Sequence, residues 1–163
     1  MVFRTKSASE TTRIGKRIGS RLLPGDVVAL IGELGAGKTQ FIKGLAAGVG
    51  IQNPTYVSSP SFKLINEYVG KTTFYHIDLF RLKGEKEAEE LGLDDYFQGR
   101  GITAIEWADK IPSLLPEEIL WIEIHYTGEN SRSLEISGKG KRCECLLEEL
   151  SEFEIQNPKS GVT

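Results

Sequence analysis

Eight consecutive residues, Gly32-Glu33-Leu34-Gly35-Ala36-Gly37-Lys38-Thr39, fill the pattern G-x-x-x-x-G-K-[ST] in full. Each position has a physical task at a polyphosphate. The glycines open backbone conformations closed to other residues and let successive amides face phosphate oxygens. A helix that starts at the end of the motif adds unpaired N–H groups and the positive end of its dipole. Lys38 brings a compact cation to the β- and γ-phosphates, and the Thr39 hydroxyl is suited to ligate magnesium. The segment from Glu33 to Thr39 therefore predicts a site for ATP and Mg2+. A phosphate-bound metal also needs a carboxylate at the end of a buried strand beside the loop. Two residues qualify: Asp78 closes Phe74-Tyr75-His76-Ile77, and Glu106 closes Ile102-Thr103-Ala104-Ile105. Spacing alone does not choose between them.

Two nucleotide-binding classes fit poorly. A GTPase needs Asn-Lys-x-Asp to read guanine and Asp-x-x-Gly as a metal switch. The first is absent, and Asp78 is followed by Leu79-Phe80-Arg81. A nucleotide kinase needs an arginine-rich lid and a second base pocket, and Arg81 is the sole arginine near the site in sequence.

The elements that carry these residues read as one domain over residues 1–150, with a polar, frayed tail over 151–163. Ser7-Ala8-Ser9-Glu10 forms a capping box ahead of a helix carrying Ile14, Ile18 and Leu22, which Pro24-Gly25 stops. Val27 to Ile31 is an apolar, largely β-branched run suited to a central strand buried on both faces. The helix after the glycine-rich turn presents Phe41, Ile42, Leu45 and Val49 and ends at Gly48-Val49-Gly50. Residues 52–61, rich in Pro and Ser, predict a functional loop. Phe62–Val69 and Thr72–Leu79 predict an antiparallel hairpin through Gly70-Lys71. Glu85–Phe97 predicts one amphipathic helix with Leu91 and Leu93 inward, and its acidic face is a surface for solvent or a partner. A strand over Ile102–Trp107, a helical turn over Ala108–Leu115, and two strands, Ile119–Tyr126 and Ser133–Ser137, complete the order. Cys143 and Cys145 read as two reduced thiols on one face of a strand, without metal or disulfide spacing. The expected fold is α/β: a three-layer P-loop NTPase-like domain, its mixed central sheet covered by helices on both faces.

Bulk composition narrows the partners. With 20 Lys+Arg against 23 Asp+Glu the net charge is −3, which gives no ground for a basic nucleic-acid stripe. No apolar run reaches bilayer length and the polar N-terminus lacks a signal-peptide core, so a cytoplasmic protein with no membrane contact is expected.

Ser59-Pro60-Ser61-Phe62, His76-Ile77-Asp78-Leu79-Phe80-Arg81 and Ile105-Glu106-Trp107 follow the P-loop in this order. In that order the chain resembles the TsaE family, also called YjeE-type, over about residues 7–137. Ser61 stands where the family usually has Thr, and Phe80 where it usually has Tyr. The resemblance implies a slow ATPase of tRNA threonylcarbamoyladenosine biosynthesis whose ATP hydrolysis drives or resets a TsaB–TsaD transferase pair. It implies contact with tRNA only through that complex. By the same resemblance Glu106 is the magnesium partner of Thr39, Asp78 is a nearby catalytic and nucleotide-site carboxylate, and Arg132 reaches the nucleotide from its polar loop. The loop from Ser58 to Phe62 resembles a switch that senses the γ-phosphate. Taken by themselves, the residues leave three readings open: an ATPase that drives a partner, a nucleotide-gated binding module, and a small-substrate P-loop kinase.

Overall fold

A computed structural model describes residues 1–60 and 62–156, the last four of them by backbone alone. Seven strands form one sheet: β1 (Val2–Thr5), β2 (Val27–Gly32), β3 (Ile65–Tyr68), β4 (Phe74–Asp78), β5 (Ile102–Glu106), β6 (Ile119–Tyr126) and β7 (Arg132–Lys139). Their spatial order is β1-β7-β6-β2-β5-β4-β3. The inner four, β6, β2, β5 and β4, run parallel, β3 on one edge and β7 beside β6 run against them, and β1 pairs antiparallel with β7. Helices α1 (Ala8–Gly19), α2 (Lys38–Val49) and α5 (Lys141–Gln156) lie on one face. Two short helices, α3 (Glu85–Glu89) and α4 (Asp94–Phe97), and a 3-10 turn at Ala108–Lys110 cover the other face over β2, β5 and β4. The mixed α/β sheet between two helical layers is the fold expected from the sequence.

The parallel strands read as apolar because they are buried on both sides. In β2, Val28 and Leu30 face the α1–α2 side and Val27 and Ala29 the opposite core. Helix α1 begins at Ser7, whose hydroxyl accepts the Glu10 amide at 3.2 Å. The return half of the box differs from expectation, since the Glu10 carboxylate accepts the Lys6 amide at 2.7 Å. Helices α1 and α2 approach closely through Gly15, Gly19, Gly44 and Gly48, where an added Cβ would meet backbone oxygen of the other helix at 2.1–2.3 Å. That contact fixes the axis on which Lys38 and Thr39 sit.

Several expectations from sequence change. Glu85–Phe97 is two short helices, broken where Gly92 takes φ 63°. Leu93 is buried and Leu91 half-buried, as their apolar character requires. The hairpin β3–β4 forms, with shorter strands and a link over 69–73. Strand β1 falls within the polar N-terminal stretch, pairing Val2–Thr5 with Glu135–Arg132. Cys143 and Cys145 lie on α5, so a spacing of two puts them on different sides: Cys143 is buried and Cys145 exposed. The polar stretch expected as a tail from 151 begins inside α5, and its remainder, 157–163, lies outside the described residues. No helix among the described residues is long and apolar enough to cross a membrane.

Candidate active site

The glycine-rich turn joins β2 to α2, and its backbone explains its composition. Gly35 and Gly37 take φ 78° and 110°, in the left-handed region that favours glycine. No side chain caps α2 at Gly37, so the amides of its first turn remain open toward the loop's concavity. The Ala36 side chain is fully buried and Leu34 is exposed, so from these two positions the loop offers main chain, and Glu33 contributes a carbonyl.

Lys38 is almost wholly buried. Its ammonium donates to the carbonyls of Gly32 at 2.6 Å and Glu33 at 2.8 Å and lies 4.1 Å from the centre of the Trp107 ring. Burial pushes its pKa below the usual lysine value, against the opposing pull of Glu106, Asp78 and Asp109. Trp107 is held at φ 61°, unusual for a bulky residue, and packs against Phe80 with ring centroids 5.2 Å apart.

Strand order separates the two candidate carboxylates. Strand β5 lies directly beside β2, and β4 lies one strand further out. Glu106 is thus in register with Leu30 on one side and Asp78 on the other. Glu106 is 2% exposed and receives three contacts. Thr39 donates to Oε1 at 3.1 Å, Ser59 donates to Oε2 at 3.1 Å, and His76 Nε2 lies 3.0 Å from Oε2. The hydroxyls of Thr39 and Ser59 are themselves 2.9 Å apart. Burial alone would raise the Glu106 pKa, and the hydrogen bond and electrostatic pull of His76, with hydrogen bonds from Thr39 and Ser59, bring it below the usual value. Asp78 goes the other way: burial raises it, the Phe80 amide at 3.0 Å opposes this, and the neighbouring Glu106 raises it further.

These side chains line a cavity of about 410 Å³ bounded by Leu34, Gly35, Gly37, Lys38, Thr39, Gln40, Ser59, Asp78, Phe80, Glu106 and Trp107. One hydroxyl and one ionised carboxylate, beside amides turned toward phosphate, form the hard-oxygen donor set that magnesium takes together with nucleotide phosphates. The residues present fit that group.

Arg132 does not line this cavity but reaches the phosphate loop itself. Its Nε donates to the Ala36 carbonyl at 2.8 Å and its guanidinium lies 4.1 Å from the Tyr126 ring centre. Tyr126 in turn donates to the Leu34 carbonyl at 3.3 Å. This pair braces the phosphate loop through its carbonyls, and Tyr126 was not singled out from sequence. Ser58, in the loop expected to switch, is bound through its amide to Tyr68 Oη at 3.2 Å and through its carbonyl to Asn66 at 3.2 Å. Ser61 lies outside the described residues. The contacts of Ser59 and His76 with Glu106 were not foreseen, because each spans residues from separate elements.

Comparison with known proteins gives a consistent result. The family model described as threonylcarbamoyl adenosine biosynthesis protein TsaE matches residues 5–134. The tRNA threonylcarbamoyladenosine biosynthesis protein TsaE of Bacillus subtilis (strain 168) is 45% identical over 150 residues, covering 91% of this chain and 92% of the relative. The protein of that name from Treponema pallidum (strain Nichols) is 38% identical over 133 residues, covering 82% and 97%. The crystal structure of Bacillus subtilis YdiB superposes with a TM-score of 0.79 at 39% identity, covering 94% of this chain and 95% of that one.

Proposed function

The chain belongs to the TsaE family, and from that premise and the geometry of its phosphate site we propose that it is a magnesium-dependent ATP hydrolase. Its role lies in tRNA threonylcarbamoyladenosine biosynthesis. The observation that carries the enzymatic reading is the triangle of Thr39, Ser59 and Glu106 at the foot of the phosphate loop.

The open amides of the loop and of the first turn of α2 cradle the phosphates, and Lys38 exchanges two carbonyls for β- and γ-phosphate oxygens. Thr39 and Glu106 hold the metal, which when bound neutralises charge developing on those oxygens. Asp78, one strand further out and with a raised pKa, is suited to orient an attacking water and accept its proton. Among the described residues no arginine lines the cavity. Arg81 lies over the Phe62 ring at 5.0 Å and lines a neighbouring pocket with Ser59, Asp78 and Phe80. With no arginine in the phosphate cavity itself, the chain alone turns over slowly, an arginine finger being worth several powers of ten. The hydrolysis then serves a partner, and the partner is a TsaB–TsaD-like pair in the cytoplasm, with tRNA met only through that assembly.

A second reading, in which nucleotide occupancy alone gates binding, draws on the position of Ser59, which donates to Glu106 and lies 2.9 Å from the Thr39 hydroxyl. Phosphate release by the parent and by Lys38→Ala, alone and with the partner pair, tests the proposal. Turnover should rise with partners and vanish in the variant. Turnover at background level with partners that nevertheless bind in an ATP-dependent way would replace hydrolysis by occupancy. Unchanged turnover and affinity in Lys38→Ala would remove the phosphate-site reading itself.

A further inference from the structure

His76 is fully buried on β4, on the same sheet face as Glu106. Its Nε2 lies 3.0 Å from Glu106 Oε2, and its Nδ1 has no hydrogen-bond partner. The same carboxylate accepts the hydroxyls of Thr39 and Ser59, so it serves as the acceptor here too and the contact is made by an N–H on Nε2. A histidine chosen only to fill this space would be a poor choice, because an orphaned buried nitrogen costs stability that an aliphatic side chain does not. The position keeps a polar ring for the one bond that it makes.

That bond divides the work of the carboxylate. Oε2 is met by His76 and Ser59 and Oε1 by Thr39, with Asp78 beside the same carboxylate. The ring thereby fixes the carboxylate plane and turns Oε1 toward the threonine hydroxyl and the cavity. We infer that His76 is a positioning residue for the metal carboxylate, acting through Glu106 and touching neither metal nor nucleotide. The inference rests on the proposal that Glu106 holds magnesium.

The experiment measures Mn2+ affinity by electron paramagnetic resonance in the presence of ADP, and ADP affinity without metal by calorimetry. The proteins are the parent, His76→Leu, His76→Gln, His76→Asn and Glu106→Gln, with thermal melting as the check on folding. Gln carries an N–H close to the Nε2 position, and Asn is too short to present one there. His76→Leu and His76→Asn should weaken Mn2+ binding by about tenfold or more, the scale of losing a partner of a metal ligand. Metal-free ADP affinity should stay unchanged in all three His76 variants, and His76→Gln should hold Mn2+ within about threefold of the parent. Should His76→Leu not fold, the contrast between Gln and Asn decides by the same criterion. Equal Mn2+ affinity in Gln, Asn and parent overturns the positioning role if Glu106→Gln has lost the metal. If Glu106→Gln keeps its Mn2+ affinity, the metal assignment fails and the inference falls with it.

Discussion

Thr39 donates its hydroxyl to Glu106 Oε1 at 3.1 Å across 67 residues of sequence. One residue stands in the first turn of α2 and the other at the last position of β5, and the adjacency of β5 to β2 brings them together. The bond has a second consequence. A carboxylate only 2% exposed would be costly if unpaired, and Thr39, Ser59 and His76 supply its contacts. Thr39 and Glu106 are the residues that would hold a magnesium ion there, the ion taking the place of the hydrogen bond between them.

Glu106→Gln and Asp78→Asn should separate the two carboxylates. The first removes the charge beside Thr39, so the magnesium concentration needed for half-maximal turnover should rise by about tenfold or more, at least 1.4 kcal/mol. Asp78 is in register with Glu106 but on the strand farther from the phosphate loop, so its variant should lose turnover with a smaller change in metal requirement. A magnesium titration of hydrolysis by both variants decides the matter, and the reverse ordering would give the metal to Asp78.

Asp78 also predicts a dependence of stability on pH. Its carboxyl titrates above the usual 3.8, chiefly because burial disfavours the ion. A carboxyl of raised folded-state pKa contributes stability that is whole below its unfolded value and lost as pH rises through the folded one. Asparagine has no such loss and can still accept the Phe80 amide. Asp78→Asn should therefore melt at a higher temperature than the parent at neutral pH, with the gap closing on acidification toward pH 3.8. Glu106, whose pKa is lowered, contributes in the opposite sense, and its stability is lost in both proteins as pH falls through its folded value. Identical melting of parent and Asp78→Asn at neutral pH would refute the argument.

Gly44→Ala probes the packing that positions α2. A Cβ at Gly44 would lie 2.1 Å from the Thr12 carbonyl oxygen and 2.9 Å from the Lys16 amide. Alanine gains up to about 1 kcal/mol of helix propensity over glycine, but a backbone clash of this depth costs about 1–3 kcal/mol or more. The clash should win. The variant is expected to melt lower and, because α2 carries Lys38 and Thr39, to bind nucleotide more weakly. Calorimetric melting and an ATP-analogue titration check both parts, and a variant as stable as the parent would show that α1 and α2 can separate freely.

What could be read in the chain divides by distance along it. The phosphate loop, its flanking strand and helix, and the hairpin β3–β4 were legible because glycine placement and apolar runs are local signals. Gly92 broke a helix predicted over Glu85–Phe97, since a charged pattern with inward leucines conceals a single left-handed residue. Strand β1 escaped because it is a four-residue edge strand whose pairing with β7 comes from the far end of the chain. Helix α5 was obscured by the Cys143–Cys145 alternation, which mimics a strand, although Cys143, Leu146 and Leu150 carry the helical spacing that buries it. At the site, spacing offered Asp78 and Glu106 equally. The order of strands puts Glu106 beside the phosphate-loop strand and Asp78 one strand further out, and that order is a property of the whole sheet.

Ser59 supports the last prediction, which concerns the coupling of the loop to the nucleotide. Its hydroxyl lies 2.9 Å from that of Thr39 and donates to Glu106 at 3.1 Å, so the loop is tied to two groups proposed to hold magnesium. Metal ligation by those groups would rearrange a tie of Ser59, and the neighbouring anchors of Ser58 to Tyr68 and Asn66 would limit how far the loop follows. Phe62 is 87% exposed three residues on, so a movement here changes an apolar surface that a partner can read. Binding to the TsaB–TsaD-like pair should therefore differ between the ATP-analogue and ADP states. Ser59→Ala should reduce that difference while leaving ATP affinity within about tenfold, the scale of one or two hydrogen bonds. The measurement is the affinity of the pair for parent and variant in each nucleotide state. Equal binding by the parent in both states would leave the loop a connector, and an undiminished difference in Ser59→Ala would move the coupling to another residue.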